Sequence, residues 1–231
     1  MSKEPPPERY ASSPCMAGEV APDYFDPNGV DPEQERDVQN WRKARRQELR
    51  ALRDAISVAD RRELGRVFCD LLRQIIGKRF GGAKGMVLAG YWPFRGEFDI
   101  RPLMKDLDEA GVLVTLPVVE IRYTPMIFRR WTRQTKLERG NWNIPEPTAE
   151  SEELIPDIAL APFLGWTGEG YRLGYGGGHY DRTLSALGDR RPFTIGIGLQ
   201  AAHLESIFPQ PYDIPLDLIV TEQGVQVAPK V

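Results

Sequence analysis

The chain has 231 residues, of which 41% are hydrophobic and 27% are charged, and its formal net charge is −3. This composition is typical of a soluble globular protein, and the acidic balance excludes an overall basic field that would attract nucleic acid. The first residues lack the apolar run of a signal peptide, and no apolar stretch is long enough to span a bilayer. The two cysteines, Cys15 and Cys69, do not suggest a disulfide framework. We therefore expect a cytoplasmic protein.

Residues 1–33 are rich in Pro, Ser, Glu and Asp, and they include consecutive prolines at positions 5–7. Such a segment offers too little apolar surface to fold alone, so it predicts a disordered or loosely docked extension. Residues 34–231 are then expected to form one α/β domain, because a chain of this length can bury a single large core.

A basic helix is predicted over Gln34–Ala55, and the positive charges that crowd it are Arg42, Lys43, Arg45, Arg46, Arg50 and Arg53. Charge runs of this kind are usually solvated helix faces. Arg42 and Arg46 lie four residues apart on one face, so they could instead close on one polyphosphate. A second helix is predicted to begin near Ser57, and its apolar stripe from Leu64 to Ile76 belongs to the core.

Short apolar runs alternate with helical patterns along the rest of the chain. The predicted strands are Met86–Tyr91, Val112–Val118, Met126–Phe128, Ile158–Phe163, Phe193–Gly198 and Leu216–Thr221. The predicted helices are Ile100–Ala110, Tyr180–Leu187 and Ala201–Phe208. A strand–helix–strand order implies parallel neighbours joined by right-handed crossovers. We therefore predict an α/β fold in a single domain, with an open, mainly parallel sheet, helices on both faces and a Rossmann-like three-layer arrangement.

Sheets of this kind bind ligands beyond the carboxyl ends of their strands. Two candidate loops follow such ends. The first reads Trp92-Pro-Phe-Arg-Gly-Glu97 and comes directly after a predicted strand, and the second leads from Phe163 to a glycine-rich stretch. We therefore expect Trp92, Glu97 and the glycine-rich stretch to share one cleft.

The stretch Tyr171–Arg182 contains four glycines within five residues, and these are Gly174, Gly176, Gly177 and Gly178. Backbone this rich in glycine can turn with positive φ and present its N–H groups to an anion, usually a phosphate. The helix predicted after it would add free N–H groups at its start. Arg172 and Arg182 flank the loop, and Asp181 offers a carboxylate for a metal. A flexible turn is the alternative, because the stretch matches neither the dinucleotide fingerprint nor the Walker loop.

Residues 172–182, which read Arg-Leu-Gly-Tyr-Gly-Gly-Gly-His-Tyr-Asp-Arg, resemble the signature of the 5-formyltetrahydrofolate cyclo-ligase family, also called methenyltetrahydrofolate synthetases. Four other segments are similar to further parts of that family, and these are Gly90–Glu97, Trp142–Pro147, Asp213–Asp217 and Val220–Glu222. The resemblance extends over Arg42–Gly224, which leaves out little besides the N-terminal extension.

The resemblance implies an enzyme that cyclises 5-formyltetrahydrofolate to 5,10-methenyltetrahydrofolate with ATP and Mg²⁺, releasing ADP and phosphate. A phosphorylated formyl group, an imidate phosphate, is the implied intermediate. Such chemistry needs mainly positioning and charge neutralisation, which glycine N–H groups, arginines and a metal ion supply. The implied partners are the folate and ATP, without a membrane or nucleic acid, and a monomer is expected.

The resemblance also implies roles for individual residues. The residues implied for ATP are Arg42, Arg46, Arg172, Leu173, Gly174, Tyr175, Gly176, Gly177, Gly178, His179 and Tyr180. The residues implied for the folate are Trp92, Glu97, Tyr175, Gly176, Gly177, Gly178 and His179. Asp181 and Asp213 would hold the magnesium ion, and Arg172 and Tyr180 would act in catalysis.

Plainer explanations exist for several of these residues. Trp92 could be a core residue, and Glu97 could be a carboxylate that the dipole of the following helix favours. Asp213 could serve only to form a turn. His179 could be a packed or hydrogen-bonded histidine, as most are, and no general base is assigned.

Three positions depart from the family pattern. Thr167 stands where the family commonly has Asp, His179 where an aromatic residue is common, and Tyr212 where His is common. Two other functions therefore remain open. One is an ATP-using paralogue that acts on a different formyl or amide substrate, and the other is a non-catalytic nucleotide- or RNA-binding regulatory protein.

Overall fold

The computed structural model describes residues 32–228 of the chain. The predicted extension lies outside this range except for its last two residues, so its loose docking stays a prediction. In chain order the helices are α1 (Pro32–Asp54), α2 (Val58–Phe80), α3 (Arg101–Glu109) and α4 (His179–Leu187). The strands are β1 (Val87–Ala89), β2 (Leu113–Val118), β3 (Ile127–Arg130), β4 (Leu137–Arg139), β5 (Pro145–Pro147), β6 (Ile158–Pro162), β7 (Gly165–Trp166), β8 (Arg172–Leu173), β9 (Phe193–Ile197), β10 (Leu218–Thr221) and β11 (Gly224–Val227).

Seven of these strands form one sheet in the order β11-β10-β9-β6-β1-β2-β3. The inner strands β10, β9, β6, β1 and β2 run parallel to one another. The edge strands β3 and β11 are antiparallel to their neighbours. The predicted open and mainly parallel sheet is therefore confirmed, and every predicted strand is present with somewhat different bounds.

Helices cover both faces of this sheet. Leu88 and Ile158 point into the main core, to which α2 and α3 contribute. Their neighbours Ala89 and Ala159 belong to a second cluster, against which Tyr180 of α4 packs. Successive residues of a strand point to opposite faces, so α4 lies on the other side of the sheet from α2 and α3. The predicted three-layer arrangement is confirmed.

The direction of winding reverses between β1 and β6. From β1 the chain passes through α3 to β2, its neighbour towards one edge of the sheet. From β6 it passes through α4 to β9, its neighbour towards the other edge. A crevice forms beyond the carboxyl ends of the two strands at such a switch point. The residues that follow Ala89 and Pro162 therefore meet at this crevice.

The predicted helix over Ala201–Phe208 is wrong. A single 3₁₀ turn forms at Gln200–Ala202, and the following residues make no helical hydrogen bonds. The Leu204 N–H instead donates to the carbonyl of Trp166 at 2.8 Å. The carbonyl oxygens of the last two residues of the segment accept hydrogen bonds from Arg42. Hydrogen bonds to distant parts of the chain have replaced the local helical ones.

Two short hairpins, β4–β5 and β7–β8, have no counterpart among the predicted elements. At the tip of the first hairpin, Trp142 and Asn143 both have positive φ, 58° and 62°. Residues with a Cβ adopt this conformation at a cost of about 1–2 kcal/mol each. Surrounding hydrogen bonds hold the tip in place, since Arg139 donates to the Asn143 carbonyl at 2.9 Å and Asn141 donates to that of Val119 at 2.5 Å.

Across residues 32–228, no helix combines the length and apolar character needed to cross a membrane. Cys69 is a free and buried cysteine of α2. Cys15 lies outside the described residues.

Close packing around Phe163 generates a prediction about stability. A Cβ added at Gly198 would lie 2.1 Å from Cε2 of Phe163, which is fully buried. We expect Gly198→Ala to lower the free energy of unfolding by about 1–3 kcal/mol, because overpacking strains the core. Gly77→Ala is the matched control, since no atom lies within 4 Å of the added carbon on the exposed face of α2. It should raise stability by about 0.5–1 kcal/mol. Urea denaturation measures both changes, and native stability of Gly198→Ala would contradict the packing.

Candidate active site

A cavity of about 1450 Å³ opens beyond the carboxyl ends of β1 and β6. Its walls come from the glycine loop (residues 174–178), the tryptophan loop (residues 92–97), α1 and residues 211–214. The predicted site residues that line it are Arg42, Arg46, Trp92, Glu97, Arg172, Leu173, Gly174, Tyr175, Gly176, Gly177, Gly178, His179, Tyr180, Asp181 and Asp213. The structure therefore brings all of the predicted site residues to one cavity, as the strand order requires. Their individual roles stay predictions.

The glycine loop lies between β8 and α4. Gly176 and Gly178 have φ values of 99° and 63°, which favour glycine. Arg46 donates from Nε to the Gly174 carbonyl at 2.8 Å, and its guanidinium carbon lies 3.5 Å from where a Cβ of Gly176 would stand. α4 begins at His179, so its free N–H groups open at the end of the loop. A glycine-rich turn beside a cation and a helix start suits a phosphate group.

Arg42 uses most of its hydrogen-bonding capacity within the protein. Its Nε donates to the Ile207 carbonyl at 2.9 Å, and its Nη2 donates to the Phe208 carbonyl at 2.8 Å. Its two terminal nitrogens also hold the Asp213 carboxylate, at 3.2 and 2.5 Å. The side chain is buried, with 8% of its surface exposed. Arg42 therefore docks α1 onto the segment that carries Asp213, and it can offer a phosphate mainly its positive charge.

Asp181 is also paired with an arginine. Arg172 donates to both of its oxygens, at 3.1 and 3.0 Å, and the Ile214 N–H donates to Oδ1 at 3.1 Å. Among the described residues, no group of three or more His, Cys, Asp and Glu side chains could hold a metal ion. The two predicted magnesium ligands, Asp181 and Asp213, are thus carboxylates of arginine ion pairs, and little of their lone-pair capacity is free.

Tyr180 supports this corner of the cavity from α4. Its hydroxyl donates to the Leu160 carbonyl at 2.8 Å, and the guanidinium of Arg172 lies 5.2 Å from the centre of its ring. Burial raises the pKa of the Tyr180 hydroxyl well above its usual value, although the charge of Arg172 acts against this shift. The hydroxyl is therefore protonated at neutral pH and bound to backbone, and the ring positions Arg172.

His179 packs against Trp142 edge to face, with 5.3 Å between the ring centres. Burial lowers the pKa of His179, while a hydrogen bond with the Thr124 backbone acts against the shift and the charge of Arg182 adds to it. The net shift favours the neutral imidazole. Its Nδ1 is buried and finds no hydrogen-bond partner within residues 32–228. Packing against Trp142 explains the position of the imidazole ring, but it leaves the Nδ1 atom without a hydrogen bond.

The tryptophan loop adds a buried carboxyl group to the cavity wall. Glu97 is 9% exposed and accepts a hydrogen bond from the Phe94 N–H at 2.9 Å. Burial raises the pKa of Glu97 to about 7, while the Phe94 N–H and the charge of Arg53 act against the shift. At the start of α3 the Arg101 N–H donates to the Asp99 carboxylate at 3.0 Å, so Asp99 rather than Glu97 is the carboxylate that leads this helix. Trp92 is half-buried and packs on the main core while lining the cavity, so its two explanations are compatible.

Two further charged residues belong to the site although they were absent from the predicted set. Arg53 is 3% exposed and donates to the Tyr175 hydroxyl at 3.1 Å and to the Phe163 carbonyl. Glu146 lines the cavity, and burial raises its pKa to about 7 despite the nearby charge of Arg129. Arg53 lies seven residues after Arg46 and therefore on the same face of the helix. The helical spacing that links Arg42 to Arg46 could have predicted that Arg53 also faces the site.

The solvated-face interpretation of α1 is therefore wrong for Arg42 and Arg53, which are buried. It holds for Lys43, which is exposed, and for Arg45, which pairs with Glu48 at 2.5 Å near the surface. The helix turns part of its charge towards the cavity and its loops.

Comparisons with known proteins agree with this architecture. A model of the 5-formyltetrahydrofolate cyclo-ligase family matches residues 38–222. The chain belongs to the 5-formyltetrahydrofolate cyclo-ligase family. The match includes both loops of the cavity and all of the predicted site residues.

Individual cyclo-ligases support this assignment. The chain is 31% identical over 143 residues to the 5-formyltetrahydrofolate cyclo-ligase of Escherichia coli (strain K12), covering 60% of this chain and 79% of that protein. It is 30% identical over 140 residues to the enzyme of the same name from Haemophilus influenzae, covering 58% and 74%. The NMR structure of Aquifex aeolicus 5,10-methenyltetrahydrofolate synthetase superposes with a TM-score of 0.66 at 27% identity, covering 80% of this chain and 91% of that one.

The raised pKa of Glu97 predicts a pH dependence of stability. Between pH 4.5 and about pH 7 the unfolded chain ionises this carboxyl while the folded protein keeps it protonated, so burial of Glu97 costs more stability as the pH rises. Glu97→Gln removes this cost and keeps an acceptor for the Phe94 N–H. We expect the difference in the free energy of unfolding between Glu97→Gln and the wild type to rise by roughly 2–3 kcal/mol in favour of the variant between pH 5 and pH 8. Urea unfolding at both pH values measures the gain.

The exposed Glu150 provides the control for this experiment. Glu150→Gln should leave the difference from the wild type nearly independent of pH. A flat profile for Glu97→Gln as well would show that the Glu97 carboxyl has an ordinary pKa.

Proposed function

We propose that this chain catalyses the ATP-dependent cyclisation of 5-formyltetrahydrofolate to 5,10-methenyltetrahydrofolate, with release of ADP and phosphate. One observation carries the proposal. A single cavity joins a cationic glycine loop, suited to phosphates, to a buried carboxyl beside aromatic rings, suited to a reduced pterin. Membership in the cyclo-ligase family supports the same substrate pair.

The nucleotide half of the cavity centres on Arg46 and the glycine loop. Arg46 supports the loop from α1, and Arg182 supports it from α4 by donating to the Gly177 carbonyl. Burial and the charge of Arg42 lower the pKa of Arg46. A guanidinium destabilised in this way gains most from an anion placed next to it. We assign the β- and γ-phosphates of ATP to this position.

The folate half centres on Glu97 and its aromatic neighbours. The rings of Tyr91, Trp92 and Tyr180 all border the cavity near this carboxyl. A reduced pterin presents adjacent ring N–H and amino donors, which a carboxylate accepts as a pair. With a pKa of about 7, Glu97 is partly protonated at neutral pH, and the pterin donors would favour its ionised form. We therefore assign the pterin ring to Glu97 and Trp92.

The reaction follows from placing the formyl group between the two halves. The formyl oxygen attacks the γ-phosphorus, ADP leaves, and the formyl carbon becomes an imidate phosphate. The N10 amine then attacks that carbon and loses its proton, and phosphate carries the oxygen away. Arg46, Arg172 and the loop N–H groups would stabilise the charge on the transferring phosphoryl group. This mechanism requires no nucleophilic serine or cysteine side chain.

Magnesium fits this site as an ion that arrives with the nucleotide. Carboxylate oxygens suit Mg²⁺, which usually keeps several waters and binds one or two carboxylates besides phosphates. Asp181 and Asp213 are already held by Arg172 and Arg42, so each can offer little more than one free lone pair. When bound, the ion would neutralise charge on the phosphates.

The departures from the family pattern bear on substrate choice unequally. Thr167 is 1% exposed and lies outside the cavity wall, and its hydroxyl finds no partner in the described part of the chain. His179 and Tyr212 both line the cavity. Of the three departures, only these two are therefore placed to contact a substrate and to separate a cyclo-ligase from a paralogue of altered specificity.

An absorbance assay for methenyltetrahydrofolate tests the proposed function. With 5-formyltetrahydrofolate, Mg²⁺ and ATP we expect product to form and ADP to appear in equal amount, and we expect no product without ATP. Other formylated compounds serve as controls in the same assay. Turnover of one of these, with 5-formyltetrahydrofolate at background, would favour the paralogue instead. ATP binding without any turnover would favour a regulatory protein.

The nucleotide assignment gives a prediction for the glycine loop. Gly176→Ala places a Cβ against the Arg46 guanidinium at a φ of 99°, so it should weaken ATP binding by about tenfold or more. Gly168→Ala is the matched control, because no atom lies within 4 Å of the added carbon, its φ is not positive and Gly168 does not line the cavity. Calorimetric titration with a non-hydrolysable ATP analogue measures both affinities. Native affinity in Gly176→Ala would refute the phosphate cradle.

A further inference from the structure

We propose that Arg53 is a positioning residue that couples the two halves of the cavity through Tyr175. Arg53 stands on α1, Tyr175 belongs to the glycine loop, and their contact joins that loop to the tryptophan loop. This inference rests on the proposed function, because it concerns how the nucleotide and folate halves act on each other.

The contacts of Tyr175 form a bridge between the loops. Its hydroxyl accepts a hydrogen bond from Arg53 Nη1 at 3.1 Å and donates to the Arg95 carbonyl at 3.3 Å. Its ring packs on Phe94, with 6.1 Å between the ring centres. One side chain of the glycine loop thus contacts both the backbone and a ring of the tryptophan loop.

Arg53 touches a third element and the other side of the tryptophan loop. Its Nη2 donates to the carbonyl of Phe163, which follows β6. The site of a Gly96 Cβ would lie 3.5 Å from the Cγ and Cδ atoms of Arg53. Gly96 has a φ of 77°, so the loop turns at the point where it packs on this side chain. Arg53 therefore sits where the α1 helix, β6 and both loops meet.

Burial makes this arrangement sensitive to displacement. Arg53 is 3% exposed, and its Nε is buried without a hydrogen-bond partner in residues 32–228. A buried guanidinium loses much of its stabilisation when one of its partners moves away. Movement of Tyr175 would therefore also change the support of the tryptophan loop, which carries the Glu97 carboxyl.

This geometry predicts reciprocal coupling between the two ligands. A nucleotide that fixes the glycine loop also fixes Tyr175, and Tyr175 holds the tryptophan loop in the conformation that presents Glu97. The ordering cost of the second loop is then smaller for the folate. Linkage requires that the folate raise nucleotide affinity by the same factor.

The experiment measures each affinity alone and in the presence of the other ligand. The probes are the β,γ-imido analogue of ATP with Mg²⁺ and 5-formyltetrahydrofolate, titrated by calorimetry against the full chain. In the wild type we expect each ligand to tighten the other by about fivefold or more. In Tyr175→Phe and in Arg53→Met we expect that factor to fall to about one to two. A residue that only supports the fold would change stability but not this ratio.

Control variants separate coupling from general damage. Arg50→Met changes a partly exposed arginine one turn earlier on α1, and it should keep the wild-type factor. If Arg53→Met does not fold, Tyr175→Phe decides alone, because it removes only the bridging hydroxyl.

The outcomes distinguish this inference from the function on which it rests. Failure of the wild type to bind either probe would overturn the proposed function. Binding of both probes without mutual enhancement would overturn only the coupling, as would full enhancement in Tyr175→Phe.

Discussion

The site depends on one kind of interaction, which three arginines of α1 make: a buried or half-buried guanidinium donates to a backbone carbonyl of a loop. Arg42 reaches the segment before Asp213, Arg46 reaches the glycine loop, and Arg53 reaches the end of β6. A buried carbonyl without a partner is costly, so loops that leave the sheet need donors from elsewhere. Each charge-assisted bond of this kind contributes about 1.5–3 kcal/mol. Without α1 the sheet could form its ladders, but the cavity walls would lack their outer support.

The same helix adds positive charge to the cavity wall through Arg42 and Arg46. The Asp213 carboxylate pairs with Arg42 and balances part of that charge, and Asp181 pairs separately with Arg172. The wall also includes Glu97 and Glu146, whose pKa values burial raises to about 7. The cavity therefore offers both fixed positive charge and carboxyl groups that can be neutral or ionised. A substrate pair made of a polyphosphate and a ring rich in N–H donors is complementary to these groups.

Much of the fold could be predicted from local sequence patterns, because the inner strands are continuous apolar runs. The glycine loop could be predicted as well, because a stretch so rich in glycine fits neither a helix nor a strand. The position of the cavity could be predicted from the parallel sheet, because the loops after β1 and β6 meet beyond the carboxyl ends of these strands. The Ala201–Phe208 segment was misjudged because its carbonyls bond to Arg42, a residue on the far side of the sequence. The pairing of Asp213 with Arg42 was hidden for the same reason. Periodicity reports which face of a segment is buried, but it does not report which distant donor satisfies its backbone.

The docking of α1 also determines how the protein responds to ionic strength. Arg46 and Arg53 bind neutral carbonyl oxygens at half-buried or buried positions, and mobile ions screen such charge–dipole contacts far less than they screen surface ion pairs. Added salt should therefore leave the helix in place, while its anions compete with the proposed nucleotide for the cationic part of the cavity wall. The expected result is a Michaelis constant for the nucleotide that rises with salt and a melting temperature that does not change.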